Sequence, residues 1–436
     1  MIGRAAVSLA AAFLTATIAA GNSPIAQPSC DRSSLVVRNT SVWMPTGVLR
    51  NRDVVVRDGR IAAIEPSASR APAEIRTIDG AGHTLLPGFV DLHLHFVIPG
   101  GLQAGEKPRT DVSDISGRQL LRSGITSGRL HLATLDEAVA LKRGSADPCQ
   151  PWPRVQVGGP GLSGAVERDY GNFQGARSTD DAVAKIEKFR GAAVDWVAIH
   201  DADRFAPGVL ETIARAARAA SIRLMAAGST PAEIAAALTI QPDTLDYFDR
   251  SAAPRYPDEI LQAMRKQPNL ALVPTPGVPF RTVAYVKTPS LLENPAGFDQ
   301  LVERDRTFVI ATAKKDLAGP EAGRSERVMQ SLPEKFQQLR GLGLTMAVGS
   351  DAGSTLHFPA DAIWWDLEAW RSLGVPHREV LMAATEAGAR VLRTADTGRI
   401  AVGSRADFIL YRGEVESGPF EVSRVLAVVK EGVRHR

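Results

Sequence analysis

Between residues 87 and 396, short apolar segments alternate with stretches of helical periodicity, and no other property of the 436-residue chain restricts its fold as much. The apolar segments fall at 90–94, 126–130, 155–157, 196–199, 222–226, 244–248, 271–273 and 345–348. Each is too short for a helix. Between them lie patterns such as DDAVAKIEKFR, behind the cap candidates Ser178 and Thr179, and GVLETIARAARAA. Strands joined through helices run parallel, because a crossover helix brings the chain back to the same end of the sheet. Eight such units predict an α/β fold, a closed (β/α)8 barrel of the TIM type.

The flanks differ in texture. From 34 to 86 the chain reads as a small antiparallel sheet with a hairpin tip at Asp58 and Gly59, and from 398 the β pattern returns in GRIAVGSRADFILYRG and SRVLAVVKEGVRHR. Neither piece alone buries a face, so the two are expected to form one small β-sandwich. The divisions read from sequence are 31–86 and 397–436 for the sandwich and 87–396 for the barrel. The seventh unit, 275–344, is long and at first rich in Pro and charge, and reads as an inserted active-site loop or lid.

Residues 1–22 carry one arginine, Arg4, then an uncharged alanine-rich run that ends near Ala20, and read as a signal peptide. The run is shorter than the ~20 residues of a membrane span, so a periplasmic or secreted protein with no stable span is expected. An oxidising compartment leaves a Cys30–Cys149 disulfide open, as it does two unrelated thiols. Lys plus Arg number 51 against 48 Asp plus Glu, and a net charge of +3 over this length gives no argument for a nucleic-acid partner.

Chemistry concentrates in LLPGFVDLHLH, residues 85–95. A period of two places His93 and His95 on one face of the first barrel strand, at the C-terminal mouth where barrels of this kind carry their sites. Two imidazoles on a rigid strand suit zinc or another first-row divalent ion. MAVGSDAG, residues 346–353, sets Asp351 just past the eighth strand, which closes beside the first. A carboxylate there suits ligation and proton transfer from water. Trp364, Trp365 and Trp370 have helical spacing and read as packing, and the glycines of VGGPGLSG read as turn formers.

With GITSGRLHLATLDEAVALKRG, RVQVGGPGLSG, VDWVAIH, GVPHREVLMAATEAGARVL and GRIAVGSRADFIL added, the order of motifs over residues 34–436 resembles the amidohydrolase superfamily. It looks most like the imidazolonepropionase-related branch that includes dipeptidases acting on proline and other carboxyl-terminal residues. The resemblance implies a barrel with a terminal β-sandwich, and hydrolysis of an amide-like C–N bond by metal-activated water. Two-metal members use the paired histidines, a carboxylated lysine on strand four, histidines on strands five and six, and the aspartate after strand eight. Here the lysine position holds Ala198, the fifth-strand histidine falls near Ala227 and the sixth at or near Tyr247.

That pattern implies one metal at most, zinc by preference, held by His93, His95 and Asp351. His200, two residues beyond Ala198, is the stand-in ligand or base and joins Asp351 as a catalytic candidate. His131, at the end of the second strand, has a similar, weaker claim; the resemblance implies a substrate-facing place for His357 in the loop after Asp351, and Tyr247 could offer a phenol to substrate or metal. His83, His377 and His435 have no converging partner. Arg281, Lys287, Arg304 and Arg306 read as a solvated charged face, with a substrate carboxylate as the alternative. The expected activity is hydrolysis of small amide or dipeptide-like substrates, and the alternative is a catalytically degraded relative acting as a binding protein. A homo-oligomer is open.

Overall fold

A computed structural model describes residues 30–67, 75–97, 110–169, 172–251 and 253–436, so the segment read as a signal peptide lies outside the described residues. Eight parallel strands form the barrel: Phe89–Leu94, Ile125–Leu130, Arg154–Val157, Trp196–His200, Arg223–Ala227, Thr244–Asp246, Ala271–Val273 and Thr345–Met346. They are called barrel strands one to eight here. Strands one to three pair in one ladder, and four to eight in another. A bridge from Gly158 to Trp196 joins strand three to four, and one from Leu94 to Ala352 joins strand one to the chain beyond strand eight. The ring is closed.

Trp196, Ala198, Met225, Val273 and Ala347 form one buried cluster with Val90 and Leu92. These residues come from strands one, four, five and seven and from the end of eight, and such strands meet only across the interior. The barrel is therefore filled by side chains, as its size requires. Strand six stops two residues earlier than the sequence suggests, because Tyr247 turns to a positive φ of 68°.

The terminal strands form one eight-stranded sheet with its own core, including Val37, Val54, Phe408 and Val429. The expectation of a purely antiparallel N-terminal piece is corrected. Leu35–Met44 runs antiparallel to Gly47–Arg57 but parallel to Arg76–Asp79 and His83–Pro87. His83–Pro87 then pairs antiparallel with Phe408–Arg412, which joins the two ends of the chain. The sheet is pinned to the barrel by polar contacts. Lys430, fully buried, donates to the carbonyls of Asp147, Gln150 and Trp152 at 3.1, 2.9 and 2.7 Å.

The insertion expected in the seventh unit as a loop or lid is largely helical. It contains Gly277–Lys287, Glu303–Leu317 and Pro320–Arg340. Tyr285, Phe298, Val309 and Ala313 give it a core shared with Leu356 and Phe358 from the loop after strand eight. Cys30 and Cys149 are both disulfide-bonded. Among the described residues no helix is long and apolar enough to cross a membrane.

Candidate metal centre

The C-terminal end of strand one and the loop after strand eight are locked through main chain. Leu92 donates its N–H to Val348 at 3.0 Å, His95 to Ala352 at 2.7 Å, and Asp351 to the carbonyl of His93 at 2.8 Å. Asp91, wholly buried, ties the same two segments by side chain. Its Oδ1 accepts from the N–H groups of His93 and Ser350 at 3.0 Å each, and its Oδ2 accepts from the Ser350 hydroxyl. Burial raises the Asp91 carboxyl to about 6 against the lowering effect of these donors.

Two glycines of the GSDAG motif are required by this approach. A Cβ on Gly349 would come within 2.4 Å of Val273 and 2.9 Å of the His93 Cβ. Gly353, at a φ of 92°, lies so close to His95 that a Cβ would sit 2.7 Å from its carbonyl oxygen.

Ligand-type atoms of His93, His95 and Asp351 consequently lie within 4.8 Å of one another. His95 Nε2 is 3.2 Å from Asp351 Oδ1, and His93 Nε2 is 3.6 Å from the same oxygen. Burial pushes the Asp351 carboxyl up, but the His95 hydrogen bond and the neighbouring imidazoles outweigh it and hold it well below the usual carboxylate range. Two nitrogens and a carboxylate oxygen at these separations fit the donor set of a zinc site. Ala198 and Ala227 are buried and offer no ligand.

The opposite side holds a network that sequence reading did not anticipate. Asp246, at the end of strand six, accepts from His93 Nδ1 at 2.7 Å and from the Thr244 hydroxyl at 2.8 Å. Its other partner is the guanidinium of Arg129, on strand two, which also donates to Thr244 at 2.8 Å. Arg129 and Asp246 are both fully buried, and the Arg129 charge with the His93 bond overcomes burial to keep Asp246 ionised below its usual range. A carboxylate on Nδ1 fixes the His93 tautomer and turns Nε2 towards Asp351. The signal in sequence was faint: one arginine inside a strand that is buried throughout.

Tyr247 follows Asp246 and sets its hydroxyl 3.1 Å from His93 Nε2. Burial first, and then the Asp351 charge, raise its phenol well above the ordinary value. His131 and His200 also join the cluster. The His131 ring centroid lies 4.2 Å from that of His93 and 5.4 Å from that of His95, and its Nε2 is 3.2 Å from Nε2 of His200. Burial lowers the His200 imidazole to about 4 and drives His131 well below its usual value, so both are neutral at pH 7.

His357 is buried in the loop after Asp351, and burial with the Arg281 charge lowers it to about 3. Arg281 corrects the expectation of a solvated face. It is fully buried, 2.8 Å from Asp361 and 2.7 Å from the Tyr285 hydroxyl, whereas Lys287 and Arg304 are exposed. Arg306 is half-buried against the Phe298 carbonyl. Trp364 and Trp370 are packing residues, as their spacing suggested.

The sequence pattern of the amidohydrolase family matches residues 84–434. The chain belongs to the amidohydrolase family. Among curated relatives of this amidohydrolase, the imidazolonepropionase of Mycolicibacterium smegmatis is 28% identical over 382 residues, covering 84% of this chain and 85% of that one. A dihydroorotase of Mycobacterium tuberculosis is 50% identical over 56 residues, 13% of each chain. In structure the amidohydrolase resembles a Xaa-Pro dipeptidase with bound methionine in its active site, with a TM-score of 0.70 at 17% identity over 92% of this chain and 99% of that one. It also resembles the ochratoxinase of A. niger, with a TM-score of 0.64 at 18% identity over 92% and 95%. At these identities the structural likeness establishes the fold.

Proposed function

We propose that this amidohydrolase hydrolyses a C–N bond of a small amide or dipeptide-like substrate, using one divalent ion, zinc by donor type, held by His93, His95 and Asp351. The convergence of these three side chains within 4.8 Å carries the reading. The names of the relatives, imidazolonepropionase, dihydroorotase and Xaa-Pro dipeptidase, support the bond class. A cation at this point supplies Lewis-acid polarisation of a carbonyl and acidifies water.

The rest falls to side chains. Asp246 holds the His93 ring so that Nε2, not Nδ1, faces the reaction. Asp351 takes a proton from water attacking the carbonyl. His200 borders a cavity of about 480 Å3 that Ser163, Arg168 and Phe173 also line. Neutral at pH 7 and joined to His131 through Nε2, it relays a proton towards the departing amine. The apolar, alanine-rich segment at 1–22 supports export of the protein to a periplasmic or extracellular location.

One observation favours a second reading, a binding protein on the same scaffold: the Tyr247 hydroxyl engages the nitrogen of His93 that a metal would use. The test is elemental analysis of untagged protein, followed by assay on a panel of dipeptides and N-acyl amino acids. The hydrolase reading expects about one ion per chain, lost in His93→Ala, and turnover on the panel. A folded protein without metal or turnover would establish the binding protein instead.

A further inference from the structure

We infer that Tyr247 is a fourth ligand of the metal, binding through its phenolate oxygen and completing a site of two imidazoles, one carboxylate and one phenolate. The inference rests on the proposed single-metal centre and adds to it a ligand that a search for histidines and acids does not find.

The distances suit it. Ligands about 2.0–2.1 Å from a tetrahedral ion stand roughly 3.3 Å from one another. Tyr247 Oη lies 3.1 Å from His93 Nε2, His95 Nε2 lies 3.2 Å from Asp351 Oδ1, and His93 Nε2 lies 3.6 Å from that oxygen. The contact between Tyr247 and His93 therefore has the spacing of two ligands on one ion as well as that of a hydrogen bond.

Proton bookkeeping at His93 sharpens the point. Nδ1 carries the hydrogen donated to Asp246, so Nε2 has only a lone pair, and without metal the Tyr247 hydroxyl donates to it. On metal binding the Oη–H bond breaks, the proton leaves to solvent, and Oη and Nε2 each give a lone pair to the ion. No electrons are transferred. The same two atoms serve both states, and because the hydrogen bond sets Oη along the Nε2 lone pair, the phenol shifts aside to admit the ion.

Two further features hold Tyr247 in place for this. Its backbone sits at a φ of 68°, a left-handed conformation that a bulky residue rarely adopts, and its N–H is anchored to the Val273 carbonyl at 2.9 Å. The guanidinium of Arg250 lies 4.7 Å from the centroid of its ring, where it stabilises negative charge on the phenolate. Tyr247, at or near the sixth-strand position where two-metal members carry a histidine, thus brings a phenol oxygen to the proposed single ion.

The experiment titrates metal-free, full-length protein with zinc ion, counting bound zinc by elemental analysis and reading the ultraviolet tyrosinate difference spectrum. Wild type is expected to form one tyrosinate for each zinc bound. Tyr247→Phe is expected to give no tyrosinate signal and to bind zinc about 10- to 100-fold more weakly or worse. Tyr247→His restores tight binding without the signal, and it keeps the test decisive should Tyr247→Phe fail to fold. One zinc without tyrosinate in wild type, with affinity unchanged in Tyr247→Phe, overturns the fourth ligand and leaves the three-ligand centre standing. No zinc in wild type overturns both.

Discussion

On the side of strands one and eight, donors are placed by main chain: a run of N–H to carbonyl bonds, two glycines that permit close approach, and one buried aspartate that ties Ser350 to His93. On the side of strands two, four and six they are placed by side chains: Arg129 on Asp246, Asp246 on His93, Tyr247 on His93, and His131 on His200. The first arrangement joins two short runs, 91–95 and 346–353, that are far apart in the chain but each of which reads as a motif by itself. The second depends on pairs 69 to 154 positions apart, none within one motif, and reads as nothing until the chain is folded. On this second side the structure sets a buried ion pair and a phenol against His93, while the buried Ala198 offers no donor.

The sharpest way to separate the two sides is to remove a donor from the first. His93→Ala and Asp351→Asn are each expected to abolish metal content and hydrolysis together, with the barrel intact by circular dichroism. Next in size is Asp246→Ala, which leaves the buried Arg129 guanidinium unpaired and should cost about 3–5 kcal/mol in urea unfolding. Replacing both partners, Arg129→Met with Asp246→Leu, should recover most of that stability while zinc binding stays about 10- to 100-fold weak, because His93 has lost the clamp on Nδ1. Full recovery of binding in the double variant would show that Asp246 serves only to neutralise Arg129.

Smaller effects probe each side alone. Ser350→Ala removes the hydroxyl from the Asp91 carboxylate and should cost about 1.5–3 kcal/mol. Thr244→Val removes the hydroxyl that donates to the Asp246 carboxylate and accepts from the Arg129 guanidinium on the other side, and should likewise cost about 1.5–3 kcal/mol.

The smallest is a pH effect in metal-free protein. His200 titrates near 4 when folded against 6.5 when unfolded, so between these values the unfolded chain binds more protons. The stability contributed by its neutral form is complete above 6.5 and is lost as pH falls towards 4. Partial exposure of His200 keeps the change modest. Urea midpoints across this range should fall with acid less steeply in His200→Asn, and identical slopes would show that His200 carries no such penalty.

The sequence by itself determined the barrel, because strand and helix periodicities are local and each unit announces its own ends. It located His93, His95 and Asp351 for the same reason, since a period of two and a turn after a strand need no tertiary information. It also showed where Ala198, Ala227 and Tyr247 depart from the family pattern. Only the tertiary structure decided what those departures mean. Arg129 and Asp246 are 117 residues apart, and neither is unusual in its own segment until the ring brings strands two and six onto one side of the centre. The form of the seventh unit was decided in the same way: its Pro and charge suggested an inserted loop or lid, and Tyr285 and Phe298 pack against Leu356 and Phe358 in a helical insertion. The pair of His93 and His95 was visible from spacing alone. That His93 is held by Asp246 and faced by Tyr247 follows from burial, where most polar atoms take a partner from whichever strand is near.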